Sequence, residues 1–164
     1  MLFFAVLAYL GAKIYKGYNS KKEAEIRIQT LPNVSFSNLG GKEINLRNFD
    51  KTKPMVLIYF HRNCEHCQYE AKEIGQNPEP FVNCQLIMVS ANDSIDKLEN
   101  FCNKYNLWEV DNIEILIDKE NRFKETFGKA VIPSVYIYDK NQKLKKRYLG
   151  ETKPEAILSE IALN

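Results

Sequence analysis

Pro54-Met55-Val56-Leu57-Ile58-Tyr59-Phe60-His61-Arg62-Asn63-Cys64-Glu65-His66-Cys67 is the stretch on which the fold turns. Its first seven residues are nearly continuous in apolar side chains, as a strand buried on both faces requires. The period then changes. Cys67, Ala71 and Ile74 recur at i, i+4 and i+7, marking the apolar face of a helix from Cys64 to Gln76 that Pro78 and Pro80 end. A buried strand therefore hands over to a helix, and the handover carries two cysteines.

Working outward, Leu86 to Val89 and Ile113 to Ile117 read as two more buried strands. Between them Ile95, Leu98, Cys102 and Tyr105 share a helical face behind Asp93, a good cap. Upstream, Val34 to Phe36 and Ile44 to Leu46 flank Asn38-Leu39-Gly40-Gly41, a hairpin signal. Downstream, Asn121 to Phe127 reads as a short helix stopped by Gly128. Val135 to Tyr138 and Leu144 to Leu149 form a second hairpin around Asp139-Lys140-Asn141-Gln142. Thr152-Lys153-Pro154-Glu155 has capping-box spacing ahead of a closing helix with Ile157, Leu158 and Ile161 on its apolar face. The order predicts an α/β fold, a mixed central sheet with helices on both faces and an N-terminal β-hairpin.

The segment ahead of that domain differs in kind. Met1 to Ala12 are apolar almost throughout, and Lys13, Lys16, Lys21 and Lys22 follow. The run is short against the roughly 20 residues of a membrane helix, though Ile14, Tyr15 and Tyr18 extend it if Lys13 snorkels. It lacks a small-x-small cleavage site and a leading basic region. Residues 1–18 are therefore expected to be a signal anchor or transmembrane segment, with an ordinary buried N-terminal helix as the rival reading, 19–30 a polar linker or short helix leading off it, and 31–164 the folded domain. Lysines after the apolar run would hold the chain in the cytoplasm by the positive-inside rule, which opposes an exported domain and leaves the orientation open.

The 164 residues carry 23 Lys and Arg against 21 Asp and Glu, a formal charge of +2. Nothing there favours nucleic acid. Lys143, Lys145, Lys146 and Arg147 are interleaved with Leu144 and Tyr148, which suits the solvated side of an edge strand better than a phosphate-binding patch.

Cys64 and Cys67 are three residues apart, so one helical turn brings their sulfurs to the same side. Cys64 falls at the helix N-terminus, where unpaired amides and the macrodipole favour a thiolate, so it is the expected nucleophile. Cys67, on the apolar face, is the expected resolving thiol. A zinc site needs two further ligands, and the remaining candidates His61 and His66 lie too near the motif, so no metal is assigned. A copper-delivery site and a structural disulfide remain as alternatives. Cys84 and Cys102 read as small core residues, with a disulfide between them left open.

On these residues the chain resembles the thioredoxin superfamily, and within it the TlpA/ResA-like, membrane-tethered thiol-disulfide oxidoreductases of the redoxin or AhpC/TSA type. The resemblance covers about Leu31 to Asn164 and rests on the leading hairpin, the strand into Cys64-x-x-Cys67, Glu70, and Val131-Ile132-Pro133-Ser134 before a strand. It implies disulfide exchange with protein substrates and no cofactor beyond a redox-active Cys64–Cys67 disulfide. It also implies a membrane redox donor or acceptor, and a location anchored to the inner membrane and facing the periplasm. Pro133 matches the family's cis-proline beside the dithiol, and the Ile132 backbone would bond an extended substrate. Glu70 matches an acidic residue able to take the Cys67 proton, with a solvated surface glutamate as the alternative. Glu65-His66 replaces the Gly-Pro of thioredoxin. A histidine there resembles the strongly oxidising DsbA and disulfide-isomerase proteins, so Glu65 and His66 are expected to tune the thiolate. Asn63 stands where the family often has tryptophan, and Ile58 where thioredoxin buries an acid. A peroxidase would need Pro and Thr shortly before the reactive cysteine, and residues 59–63 supply neither.

Overall fold

A computed structural model of the chain describes residues 2–162, apart from the side chains of residues 2, 3, 5 and 8. Met1 of the apolar segment and residues 163 and 164 of the domain lie outside the described residues. The elements are α1 (Leu2–Arg27), β1 (Ser35–Asn38), β2 (Glu43–Asn45), β3 (Met55–Phe60), α2 (Glu65–Gln76), β4 (Gln85–Ala91) and α3 (Ile95–Lys104). They continue as β5 (Ile113–Asp118), α4 (Arg122–Phe127), β6 (Ser134–Tyr138), β7 (Leu144–Leu149) and α5 (Pro154–Ala162).

One sheet runs β2-β1-β5-β4-β3-β6-β7. Strands β3, β4 and β5 are parallel, while β6 pairs antiparallel with β3 and β1 antiparallel with β5. Strand β3 lies deep within the sheet, and its side chains alternate between two cores. Val56, Ile58 and Phe60 pack with Cys67, Ala71 and Ile74 of α2, Leu98 of α3 and Ile157 of α5. Met55, Leu57 and Tyr59 pack with Phe123 and Phe127 of α4 and with Ile28. An apolar run without alternation is thus what a strand covered on both faces needs. The parallel crossovers through α2 and α3 fall on one face, as two consecutive right-handed connections across β3, β4 and β5 require.

Two local readings are corrected. Asp93 does not cap α3; Ser94 occupies that position, and Asp93 is drawn away by Arg62 at 2.7 Å and by Ser90, whose hydroxyl donates to it at 2.6 Å. Thr152 forms no capping box. Its hydroxyl donates to the Gly150 carbonyl at 3.2 Å, and α5 begins at Pro154, where the missing N–H costs nothing. Of the linker and the short helix left open after Tyr18, the structure has the helix, continuous through Arg27, and packing starts ahead of Leu31, because Ala24 and Ile28 are buried. Arg27 donates to the carbonyls of Glu125 and Thr126, and Glu25 pairs with Arg147 at 2.8 Å, so the end of α1 is fastened to α4 and β7. Lys145, Lys146 and Arg147 of the basic stretch lie on β7, the last strand of the sheet, as an edge requires.

Gly75 sets the seat of α2. Helix propensity favours alanine over glycine by about 1 kcal/mol, yet a Cβ at Gly75 would stand 1.7 Å from the Tyr105 carbonyl oxygen. That oxygen is backbone and cannot swing aside. Gly75→Ala is expected to destabilise the protein by at least about 2 kcal/mol, read from the urea midpoint. An equally stable or more stable variant would show that α2 is not pressed on the loop after α3.

Candidate active site

Cys64 caps α2 with extended backbone (φ −83°, ψ 120°), and its side chain makes no capping hydrogen bond. The helix proper starts one residue later than the sequence suggests, so the half-buried Cys64 sulfur sits at the end where the first-turn amides are unpaired. Its N–H donates to the His61 carbonyl at 3.0 Å and its carbonyl accepts from Gln68 at 2.9 Å. Cys67, one turn on, is 1% exposed and packed in the core with Ala71 and Ile74. Burial pushes its thiol well above the ordinary value. The Cys64 sulfur and the charge of Glu70 add to this, against a backbone hydrogen bond at His61. The two sulfurs are neighbours with opposite access. One meets a partner and the other waits inside.

Glu70 is not a solvated surface residue. It is 2% exposed, and neither carboxylate oxygen has a hydrogen-bond partner. Burial alone pushes its carboxyl up to about 8, because a charge taken from water into an apolar surround is costly. A proton held there is released close to neutral pH, which suits an acid–base partner for Cys67.

The loop joining β3 to α2 is fixed by contacts that the sequence does not announce. The Arg62 guanidinium bonds Asp93 at 2.7 Å and the Asn63 side chain at 2.7 Å, while the Arg62 carbonyl accepts from Gln68 at 2.8 Å. Asp93 is reached because β3 and β4 are parallel with Phe60 opposite Ser90, so residues just past the two strand ends become neighbours. Only the pairing reveals it.

The Ile132–Pro133 peptide is cis. Pro133 is buried and Ile132 half-buried. Strand β6 begins at Ser134 beside Tyr59 of β3, so this turn lies at the Cys64 end of the sheet. The Pro133 carbonyl accepts from the Gly150 N–H at 2.9 Å. Glu65 and His66 are both exposed in the first turn of α2. The partner of His66 is Glu151, with Nδ1 3.0 Å from Oε2. Ile58 is fully buried in the same cluster as Cys67.

Cys84 and Cys102 are remote from this chemistry. All four cysteines are free thiols, and burial pushes Cys84 and Cys102 each up to about 12, which keeps them unreactive. The Cys84 thiol donates to the Phe81 carbonyl at 3.2 Å. Among the described residues no group of three or more His, Cys, Asp or Glu side chains converges on a metal-sized site.

Known proteins resemble the chain in sequence and in fold. The thiol-disulfide oxidoreductase ResA of Bacillus cereus is 26% identical over 150 residues, 90% of this chain and 84% of the relative. A secreted Mycobacterium tuberculosis disulfide oxidoreductase homologous to E. coli DsbE superposes with a TM-score of 0.68 at 17% identity, over 84% of this chain and 98% of that one. A putative thioredoxin from Neisseria meningitidis does so with a TM-score of 0.68 at 22% identity, over 82% and 89%. These superpositions establish a thioredoxin-like fold. The sequence profile of the AhpC/TSA family matches residues 28–147, from the buried Ile28 through both cysteines and Pro133 into β7, and the chain belongs to that family.

Proposed function

We propose that the chain is a thiol-disulfide oxidoreductase that exchanges disulfides with protein partners through Cys64 and Cys67. One observation carries this reading. A half-exposed thiol caps a helix, and a fully buried thiol lies one turn behind it beside a carboxyl that is itself buried and unpaired.

As a reductant, the Cys64 thiolate attacks a partner disulfide, the partner S–S bond breaks, and the leaving sulfur departs with the electron pair and takes up a proton. The Cys67 proton passes to ionised Glu70. The Cys67 thiolate then attacks the Cys64 sulfur of the mixed disulfide and releases the second partner thiol. Two protein thiols become a disulfide and one partner disulfide becomes two thiols. Run backwards, the same steps oxidise a partner. The Ile132 backbone beside Pro133 would hold the partner's extended segment against the dithiol, and Glu65 and His66 would tune the couple. No cofactor is required beyond the Cys64–Cys67 disulfide.

In this reading the first half of α1 attaches the domain to the inner membrane, where a membrane redox protein resets the dithiol from the periplasmic side. Exposed Leu7, Leu10, Ile14 and Tyr18, followed by Lys21 and Lys22, support an attachment. No described helix is long and apolar enough to cross a membrane. A C-terminal reporter fusion tests the orientation, and a cytoplasmic signal would overturn the periplasmic placement.

The catalytic reading is tested by insulin reduction, set beside Cu(I) titration of the reduced protein. Catalysed insulin reduction that vanishes in Cys64→Ser is expected. Tight stoichiometric Cu(I) binding with negligible insulin reduction would make the protein a copper-binding chaperone instead.

A further inference from the structure

His66 is held from outside its own helix. Its Nδ1 lies 3.0 Å from Oε2 of Glu151, on the loop between β7 and α5. The neighbouring Gly150, in left-handed backbone (φ 103°), donates its N–H to the Pro133 carbonyl at 2.9 Å. One short loop therefore contacts both the start of α2, through a carboxylate, and the cis-proline turn at the Cys64 end of the sheet, through a backbone amide. Neither Gly150 nor Glu151 belongs to a strand or helix. These two contacts, with the Thr152 hydroxyl donating to the Gly150 carbonyl at 3.2 Å, hold the loop.

We propose that Glu151 is a positioning residue for the exchange reaction, accepting the Nδ1–H of His66 and holding its imidazole at the dithiol mouth so that it sets the potential of the Cys64/Cys67 couple. The inference rests on the thiol-exchange reading. An imidazole presents two distinct nitrogens, and the partner of one decides what the other can do. With Glu151 accepting from Nδ1, the Nε2 edge is the one left for a thiolate or a departing partner sulfur. A donor to the thiolate stabilises the dithiol form relative to the disulfide and makes the couple more oxidising. Both side chains are about half exposed, at 57% and 51%, so the effect is that of a surface pair, a factor of a few.

The test uses the full chain and glutathione redox buffers at pH 7, comparing wild type, Glu151→Gln, Glu151→Asp, His66→Ala and the Glu151→Gln/His66→Ala double variant. In Glu151→Gln the equilibrium constant is expected to move about threefold toward the disulfide form, about 14 mV more reducing for a two-electron couple. Glu151→Asp, which keeps the carboxylate, should recover most of that shift. In the His66→Ala background Glu151→Gln should move nothing. A bare carboxylate acting through space on Cys64 has the opposite sign, because removing it favours the thiolate. An unchanged potential in Glu151→Gln, a shift toward the dithiol form, or the same shift without His66 would overturn the positioning role while leaving thiol exchange intact. A wild type with no reversible couple would overturn both.

Discussion

Cys67→Ser is expected to trap the reaction at its midpoint. The variant keeps Cys64 half-exposed at the start of α2 and removes only the buried thiol. Attack on a partner disulfide then proceeds, and the mixed disulfide has no internal thiol to break it. A covalent one-to-one adduct with an oxidised protein partner should accumulate and dissolve on adding dithiothreitol, as read by non-reducing electrophoresis and intact mass. Cys64→Ser should form none, and its turnover should fall by at least about 10³-fold, because a serine hydroxyl without a dedicated base does not replace a thiolate. An adduct in Cys64→Ser, on the buried Cys67, would reverse the assigned roles. Cys84 and Cys102 make poor substitutes, since both are fully buried with thiols pushed up to about 12.

Glu70 should produce the second large effect, and it has two readouts. Its carboxyl stands at about 8 through burial, against about 4.3 in an unfolded chain. Below the unfolded value both states hold the proton and pH has no leverage. Between about 4.3 and 8 the unfolded chain ionises while the folded one stays protonated, so stability falls as pH rises, by about 1.4 kcal/mol per pH unit and up to about 5 kcal/mol in all. Above about 8 both states are ionised and the loss levels off. Glu70→Gln removes the proton and should flatten this slope across pH 5–8 in urea titrations, whatever the amide does to the absolute value. Asp118 and Glu114 are also raised by burial and contribute their own slopes, so the comparison is made between wild type and variant. In kinetics, attack by Cys67 should speed up as pH rises through 8 in the wild type and run about 10²-fold slower in Glu70→Gln. Equal slopes and equal rates would return Glu70 to a passive role.

The fold was legible because β3 states its surroundings in composition. Met55 to Phe60 has no polar face, so it demands cover on both sides, and the helical period starting at Cys67 supplies half of that cover at once. The two thiols were legible for a related reason, since spacing and residue type alone restrict what they can do, whereas Pro133 was reached only through the family resemblance. What stayed hidden depends on pairing between distant segments. Asp93 looked like a helix cap because capping is local, whereas its bond to Arg62 exists only once β3 and β4 are set in parallel register. The burial of Glu70 was undecidable from sequence, because a glutamate one turn after Cys67 faces the core or the solvent according to how α2 is rolled. Gly75 against Tyr105 helps to set that roll. Glu151 had no signal at all, being a lone acid in a loop. At the other end, charge in residues 18–29 left a linker or a short helix open, and two small or apolar positions, Ala24 and Ile28, decide for a helix docked on the domain, with Ala24 against Gly128.

Equilibrating the wild-type chain with glutathione buffers of graded poise, and counting its free Cys64 and Cys67 thiols by alkylation and mass, shows whether these two residues form a reversible redox couple. One reversible two-electron transition is expected, confined to this pair, with a potential less reducing than thioredoxin's, about −270 mV. Thiols that stay reduced at every poise, or that oxidise without returning, would contradict it.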